Sequence, residues 1–284
     1  MLSIDPKAIP TPQLHGYLLG AVAPRPICFA STVDSQGRVN LSPYSFFNVF
    51  SANPPVMIFS PARRVRDNTT KHTLENVLET KEVVINIVSY EMVQQMSLSS
   101  TEYPKEVNEF VKAGFTELPS EVVKPPRVAE SPVQFECKVN DVIPLGEEGG
   151  AGNLVIAQVV RLHVDESILD EQARIDPFKL DPVSRLGGNW YGRPKEGLFE
   201  VPKPLRTLGI GVDSLPEAVR NSTVLTGNDL GRLGNVESLP GSDEFSSDLD
   251  LQKMSREDVH KKAQLLIGQD RVEEALALLL KANK

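Results

Sequence analysis

ICFASTVDSQGRVNLS (27–42) decides how this chain is read. Its first seven residues are rich in β-branched and aromatic side chains, the make-up of a strand. DSQG (34–37) is a four-residue turn with glycine last, and RVNLS leads back. The stretch is a β-hairpin. Outward from it, PVMIFS (55–60) and VVINIVS (83–89) read as short buried strands, and VQFECKVNDVI (133–143) and GNLVIAQVVRLHV (152–164) as two long ones joined by PLGEEGGAG. Between them KHTLENVLETKE (71–82) puts Leu74, Val77 and Leu78 at helical spacing. Strands often follow one another without an intervening helix, so regular βαβ alternation is missing and a doubly wound parallel sheet is disfavoured. The expectation is a mainly β protein, a β-barrel with appended helices.

Past residue 200 the character changes. Residues 201–252 are rich in Pro, Gly, Ser and Asp and read as an extended arm running into an acidic linker. Residues 253–284 read as a short helical pair. Ser255 with Asp258, and Asp270 with Glu273, are the expected capping boxes, and Val259, Ala263, Leu266, Val272, Leu276 and Leu279 the buried stripe. The pair resembles half of a superhelical repeat, but one unit builds no solenoid. A tail docked on its own domain or on a dimer mate is the expectation.

With 284 residues, 24% charged and a formal charge of −8, the chain has the composition of an ordinary soluble protein and no concentrated basic face for nucleic acid. Cys28 and Cys137 make no disulfide framework, and the four histidines are too scattered for a zinc site. No apolar run reaches bilayer length, and YLLGAVA (17–23) lacks a basic leader, so a cytoplasmic protein without a membrane partner is expected.

The usual catalytic signatures are missing: no phosphate loop, nucleophile elbow or His-Glu-x-x-His helix. GIGVDS (209–214) lacks the third glycine of a dinucleotide fingerprint and reads as a loop. If the protein is an enzyme, a cofactor carries the chemistry. Three segments can hold one. NLSPYSFFNVFSANPPVMIFS (40–60) crowds four Phe and a Tyr among hydroxyl and amide groups, which suits a flat ligand with polar edges. Here Phe59 and Phe50 read as core, and Ser45 and Asn48 as ligand-facing. Ser31 and Thr32 close the preceding strand and can face a ring edge. SPARRVRDNTTKHTLEN (60–76) gathers Arg64 and its basic neighbours with Lys71 and Thr73 before a helix start, an arrangement that attracts phosphate. RLGGNWYGR (185–193) holds the single Trp; taken alone it fits a ligand cover, a core cap or a dimer contact equally.

Four segments in order, 25–60, 71–80, 125–139 and 184–193, resemble the flavin reductase-like family with the FMN-binding split barrel, to which flavoredoxin and the reductase components of two-component monooxygenases belong. The resemblance implies that residues 1–200 form an antiparallel split barrel that dimerises with FMN near the subunit interface. It implies that Ser31, Thr32, Ser45, Phe46, Phe47 and Asn48 line the isoalloxazine. Ser60, Lys71 and Thr73, with Arg64 of the basic turn, would receive the phosphate, and Arg185, Gly188, Trp190 and Tyr191 would close over the ring. Two departures stand out. Many relatives have Asp where His72 stands, and the Arg-rich insert before it is longer. The function implied is that of an NAD(P)H:flavin reductase, with NADH or NADPH as donor and a monooxygenase or other electron-accepting partner. The alternatives are an FMN electron carrier without NAD(P)H activity, and a non-enzymatic scaffold. His163 reads as a structural histidine rather than a proton shuttle.

Overall fold

The computed structural model describes residues 1–201, 203–205, 207–240 and 254–282. The chain divides into two units, Met1–Leu198 and Phe199–Lys284.

The first unit is built on a seven-stranded antiparallel sheet of β1 (Cys28–Val33), β2 (Val39–Tyr44), β3 (Phe47–Ala52), β4 (Pro55–Phe59), β5 (Glu82–Ile87), β8 (Val133–Pro144) and β9 (Asn153–Val164), in the order β2-β1-β5-β8-β9-β4-β3. Two ribbons of two-residue strands accompany it: β6 (Glu117–Leu118) with β7 (Arg127–Val128), and β10 (Ser184–Arg185) with β11 (Tyr191–Gly192). The two edge strands β2 and β3 are joined directly through Ser45 and Phe46. Pro43 lies within β2, where an edge position tolerates its missing N–H.

The expected hairpin is β1–β2, in register from Cys28↔Tyr44 to Val33↔Val39. Asp34 pins its turn: one carboxylate oxygen accepts from the N–H groups of Gln36 and Arg38, both at 2.9 Å, and the other from Arg38 Nε at 2.6 Å. Gly37 takes φ +80°, a conformation that favours glycine.

Side chains alternate across the sheet. Cys28, Ala30, Tyr44, Met57, Phe59, Ile85, Cys137, Val155 and Ala157 form one core, closed by Leu74 and Val77 of α2 (His72–Thr80). Phe29 and Leu41 face the other way, into a core with Met96 of α3 (Val93–Leu98) and Phe110 of α4 (Glu109–Ala113). With both faces covered, β1 is buried along its whole length. Phe59 is core, as expected, whereas Phe50 is 64% exposed on the edge strand β3. The helix α1 (Thr11–Ala21), which the sequence reading does not anticipate, buries none of its residues.

The second unit is helical. Val219 of α6 (Glu217–Arg220) and Leu233 of α7 (Gly227–Leu233) share a core with Val259, Ala263 and Leu266 of α8 (Arg256–Gly268) and Leu276 and Leu279 of α9 (Val272–Ala282). Part of the stretch read as an arm thus folds with the helical pair, because Leu215, Val219, Leu225 and Leu233 supply apolar side chains that short helices can bury. Residues 241–252, the end of the stretch read as arm and acidic linker, lie outside the described residues. Ser255 caps α8 by accepting from Asp258 N at 3.2 Å. Asp270 does not cap α9: it is in the left-handed region at φ 63°, and its carboxylate accepts from Arg232 Nη2.

Candidate functional site

A cleft of about 230 Å³ opens in the first unit. α1 contributes His15 and Leu19; the end of β2 and the corner after it contribute Pro43, Tyr44, Ser45 and Phe46; Ser60 and Ala62 follow β4; Lys71 precedes α2; Arg185, Leu186 and Gly188 complete the wall, with Arg25 at the base. Three of these residues are cationic and none is Asp or Glu.

Arg25 holds the walls together. It is only 6% exposed, and its guanidinium donates to the carbonyl oxygens of Leu19 at 2.6 Å, of Val22, and of Leu186 at 3.1 Å. Its Nε reaches Ser45 Oγ at 3.5 Å. Its backbone pairs with that of Arg185 in both directions, at 3.0 and 2.8 Å. Burial, and secondarily the Arg185 charge, lower the Arg25 pKa from its ordinary value. The loop after Arg185 lies so close to α1 that a Cβ on Gly187 would stand 3.1 Å from Gly20 Cα.

Lys71 stands before the first turn of α2, whose N-terminus no side chain caps. Its Nζ lies 5.3 Å from the centre of the Tyr44 ring and, among the described residues, it makes no ion pair with a carboxylate. Burial and the nearby Arg64 lower its pKa. An anion in the cleft would offset that desolvation and satisfy the helix start. Ser60 Oγ accepts from Asn153 N at 3.0 Å, which leaves its own proton to donate. The chain at Gly152 passes so close that a Cβ there would stand 2.6 Å from that oxygen. Phe46 meets His15 edge to face, with ring centres 6.4 Å apart.

Of the residues singled out from the sequence, Ser45, Phe46, Ser60, Lys71, Arg185 and Gly188 come together in this cleft. The others lie elsewhere. Ser31 and Thr32, being adjacent on β1, point to opposite faces and are wholly buried; Asn76 Nδ2 donates to Thr32 Oγ1 at 3.1 Å. Thr73 is buried and donates to Asn40 Oδ1 at 2.6 Å. Arg64 spends its guanidinium on Glu102, Thr69 and the Thr70 carbonyl. Phe47 packs on the core, and Asn48 accepts from Val49 N through its own side chain. Trp190 is 76% exposed, and Tyr191 stacks on Arg185 with 4.6 Å between guanidinium and ring centre. Arg25, His15, Leu19, Tyr44 and Leu186 are missed by the sequence reading. The Pro12 near the start of α1 was the available signal for that helix. His163 is structural: its Nε2 lies 2.7 Å from the buried carboxylate of Glu136, which also accepts from the N–H groups of Glu121, Val122 and Val123.

A flavin reductase like domain profile matches residues 20–179, more than half of the chain and wholly within the first unit. The chain belongs to the flavin reductase-like family. An uncharacterized protein of Aquifex aeolicus is 42% identical over 178 residues, 63% of this chain and 88% of that protein. The structure of nitrilotriacetate monooxygenase component B from Bacillus cereus superposes with a TM-score of 0.65 at 34% identity, over 72% of this chain and 98% of that one. The 2-nitrobenzoate 2-nitroreductase of Pseudomonas fluorescens gives 0.65 at 26% identity, over 74% and 100%. The fold is therefore the split barrel of flavin reductases, mainly β with appended helices. Among the described residues no helix is long and apolar enough to cross a membrane.

Proposed function

We propose that the protein is a cytoplasmic FMN-dependent oxidoreductase, a flavin reductase that draws hydride from NADH or NADPH. The observation that carries this reading is the donor set of the cleft. Lys71 and Arg185, in a lining that holds no Asp or Glu, stand beside the hydroxyls of Ser45 and Ser60 and the apolar side chains of Leu19, Phe46 and Leu186. That set fits a ligand with a flat apolar ring, polar rim and anionic tail, and FMN is such a ligand. Bound there, FMN would supply the hydride-accepting ring that none of these side chains offers.

The chain's own part is binding, orientation and exclusion of water. Lys71 and the uncapped start of α2 grip the phosphate. Ser60 donates its hydroxyl proton, and Leu19, Phe46 and Leu186 shield the ring. Arg25 keeps the two walls at a fixed separation, so that reactants meet at near-contact distance.

The cleft is smaller than the roughly 300–1,000 Å³ of pockets that enclose a ligand. Beside it the edge strand β3 exposes Val49 and Phe50, and α1 exposes Tyr17 and Leu18. A second copy covering this apolar face would complete the enclosure, so the reading includes a homodimer. The similarity to a monooxygenase component supports a monooxygenase, or another electron-accepting protein, as the onward partner.

Titration with FMN followed by visible absorbance tests the reading first, and anaerobic mixing with NADH and with NADPH second. Binding with rapid bleaching is the expected result. Binding without bleaching assigns an electron carrier instead, and failure to bind FMN removes the reading altogether.

A further inference from the structure

Beneath the cleft a chain of buried polar groups runs from α4 to the start of α2, and its direction is fixed at one end. Glu109 is 4% exposed. One of its carboxylate oxygens accepts from Leu41 N and the other from Asn40 Nδ2, both at 3.0 Å. A carboxylate can only accept, so Asn40 must present its Nδ2 there and turn its Oδ1 towards Thr73. Thr73 Oγ1 donates to that oxygen at 2.6 Å. Its one proton is then committed, and the Thr73 oxygen can only accept from what lies beyond. The Tyr44 phenol lies there, within range of the Thr73 and Ser42 hydroxyls but in no bond of good geometry. Lys71 rests over the ring of that phenol and immediately precedes α2, which carries Thr73.

We propose that Glu109, through Asn40 and Thr73, is the positioning residue for the anion-binding end of the cleft. It sets the direction of a relay that fixes the first turn of α2 and, through it, Lys71, which rests over the Tyr44 ring. The inference rests on the reading of the cleft as a flavin phosphate site. Glu109 touches no ligand and acts only through its neighbours.

The substitution Glu109→Gln tests the direction of the relay while preserving shape. A carboxamide satisfies Leu41 N with its oxygen and then offers an N–H to Asn40, which must flip. Asn40 Nδ2 would then face Thr73, and the Thr73 proton would be driven towards Tyr44. Thr73→Val removes the link altogether, and Thr73→Ser keeps it.

The experiment measures the affinities of full-length protein and variants for FMN and for riboflavin, which lacks the phosphate, alongside thermal melting. Glu109→Gln and Thr73→Val should weaken FMN binding about 10-fold, the loss of one net hydrogen bond of roughly 1.4 kcal/mol. Riboflavin binding should hardly change, and Thr73→Ser should restore FMN affinity. Should Glu109→Gln fail to fold, the Thr73 pair carries the same comparison. Equal loss of both ligands, or full FMN affinity in the folded variants, would overturn the proposal and leave the flavin site standing. If the unaltered protein binds neither ligand, the flavin reading itself has failed, and the relay falls with it.

Discussion

Lys71 holds its ammonium 5.3 Å above the ring of Tyr44, half-buried and in no ion pair with a carboxylate among the described residues. A cation placed so pays for desolvation and recovers part of it from the ring face, which leaves it poised for an anion. Lys71→Met keeps the packing of the stem and removes the charge. FMN affinity should fall about 10- to 100-fold, the equivalent of a charge-assisted hydrogen bond of roughly 1.5–3 kcal/mol. Thermal stability without ligand should be unchanged or slightly higher, and fluorescence titration with melting curves reads both.

Arg25 satisfies three backbone carbonyls from two separate segments, so its loss takes a charged donor from all three at once. Arg25→Met should lower stability by about 3 kcal/mol or more, since each bond to a charged group contributes roughly 1.5–3 kcal/mol. Arg25→Lys should recover only part, because an ammonium cannot span the same fork. Urea unfolding of the full chain measures the difference.

Val49 and Phe50 are 62% and 64% exposed on the edge strand. Under the dimer reading, Phe50→Asp should convert dimer to monomer and weaken flavin binding together. Light scattering across a concentration series, paired with an FMN titration, checks it. A variant that stays dimeric, or an unaltered protein that is monomeric, contradicts that part of the reading.

His260, 3% exposed in the helical unit, has its pKa lowered from 6.5 by burial and secondarily by Arg256. Its Nδ1 lies 2.7 Å from Ser222 Oγ, which already accepts from Val224 N and Leu225 N, so Ser222 donates and the imidazole is neutral. With a folded pKa below the unfolded one, the unfolded state binds the extra proton. The helical unit should therefore be fully stable above about pH 6.5 and lose stability as pH falls below it. Melting of the full chain between pH 7.5 and 5 should show this slope in the helical transition, and His260→Leu should flatten it.

Much of the fold is legible in the sequence because the strands carry local signals. DSQG is a turn whose aspartate can bond the following N–H groups, and the 71–82 segment has helical spacing of Leu74 and Val77. The strand β3 is less legible, since its exposed Val49 and Phe50 break the pattern of a half-buried strand. Helix α1 is hidden for the same reason: with none of its residues buried, it shows no apolar stripe. At the site, Lys71 and Ser45 are readable from residue type beside a helix start or a corner. Ser31, Thr32 and Thr73 show the limit of that approach, because residue type does not tell which face a side chain occupies.

By itself the sequence determines the antiparallel strands, the turn that joins the first pair and the family to which the chain belongs, since these follow from short-range patterns and ordered motifs. Only the tertiary structure decides that Arg25 is the bracket of the cleft and that Glu109 directs a relay 36 residues away in sequence from Thr73. The reason is that a buried polar group must find its partners in space, and those partners are fixed by how the sheet and helices pack rather than by their order along the chain.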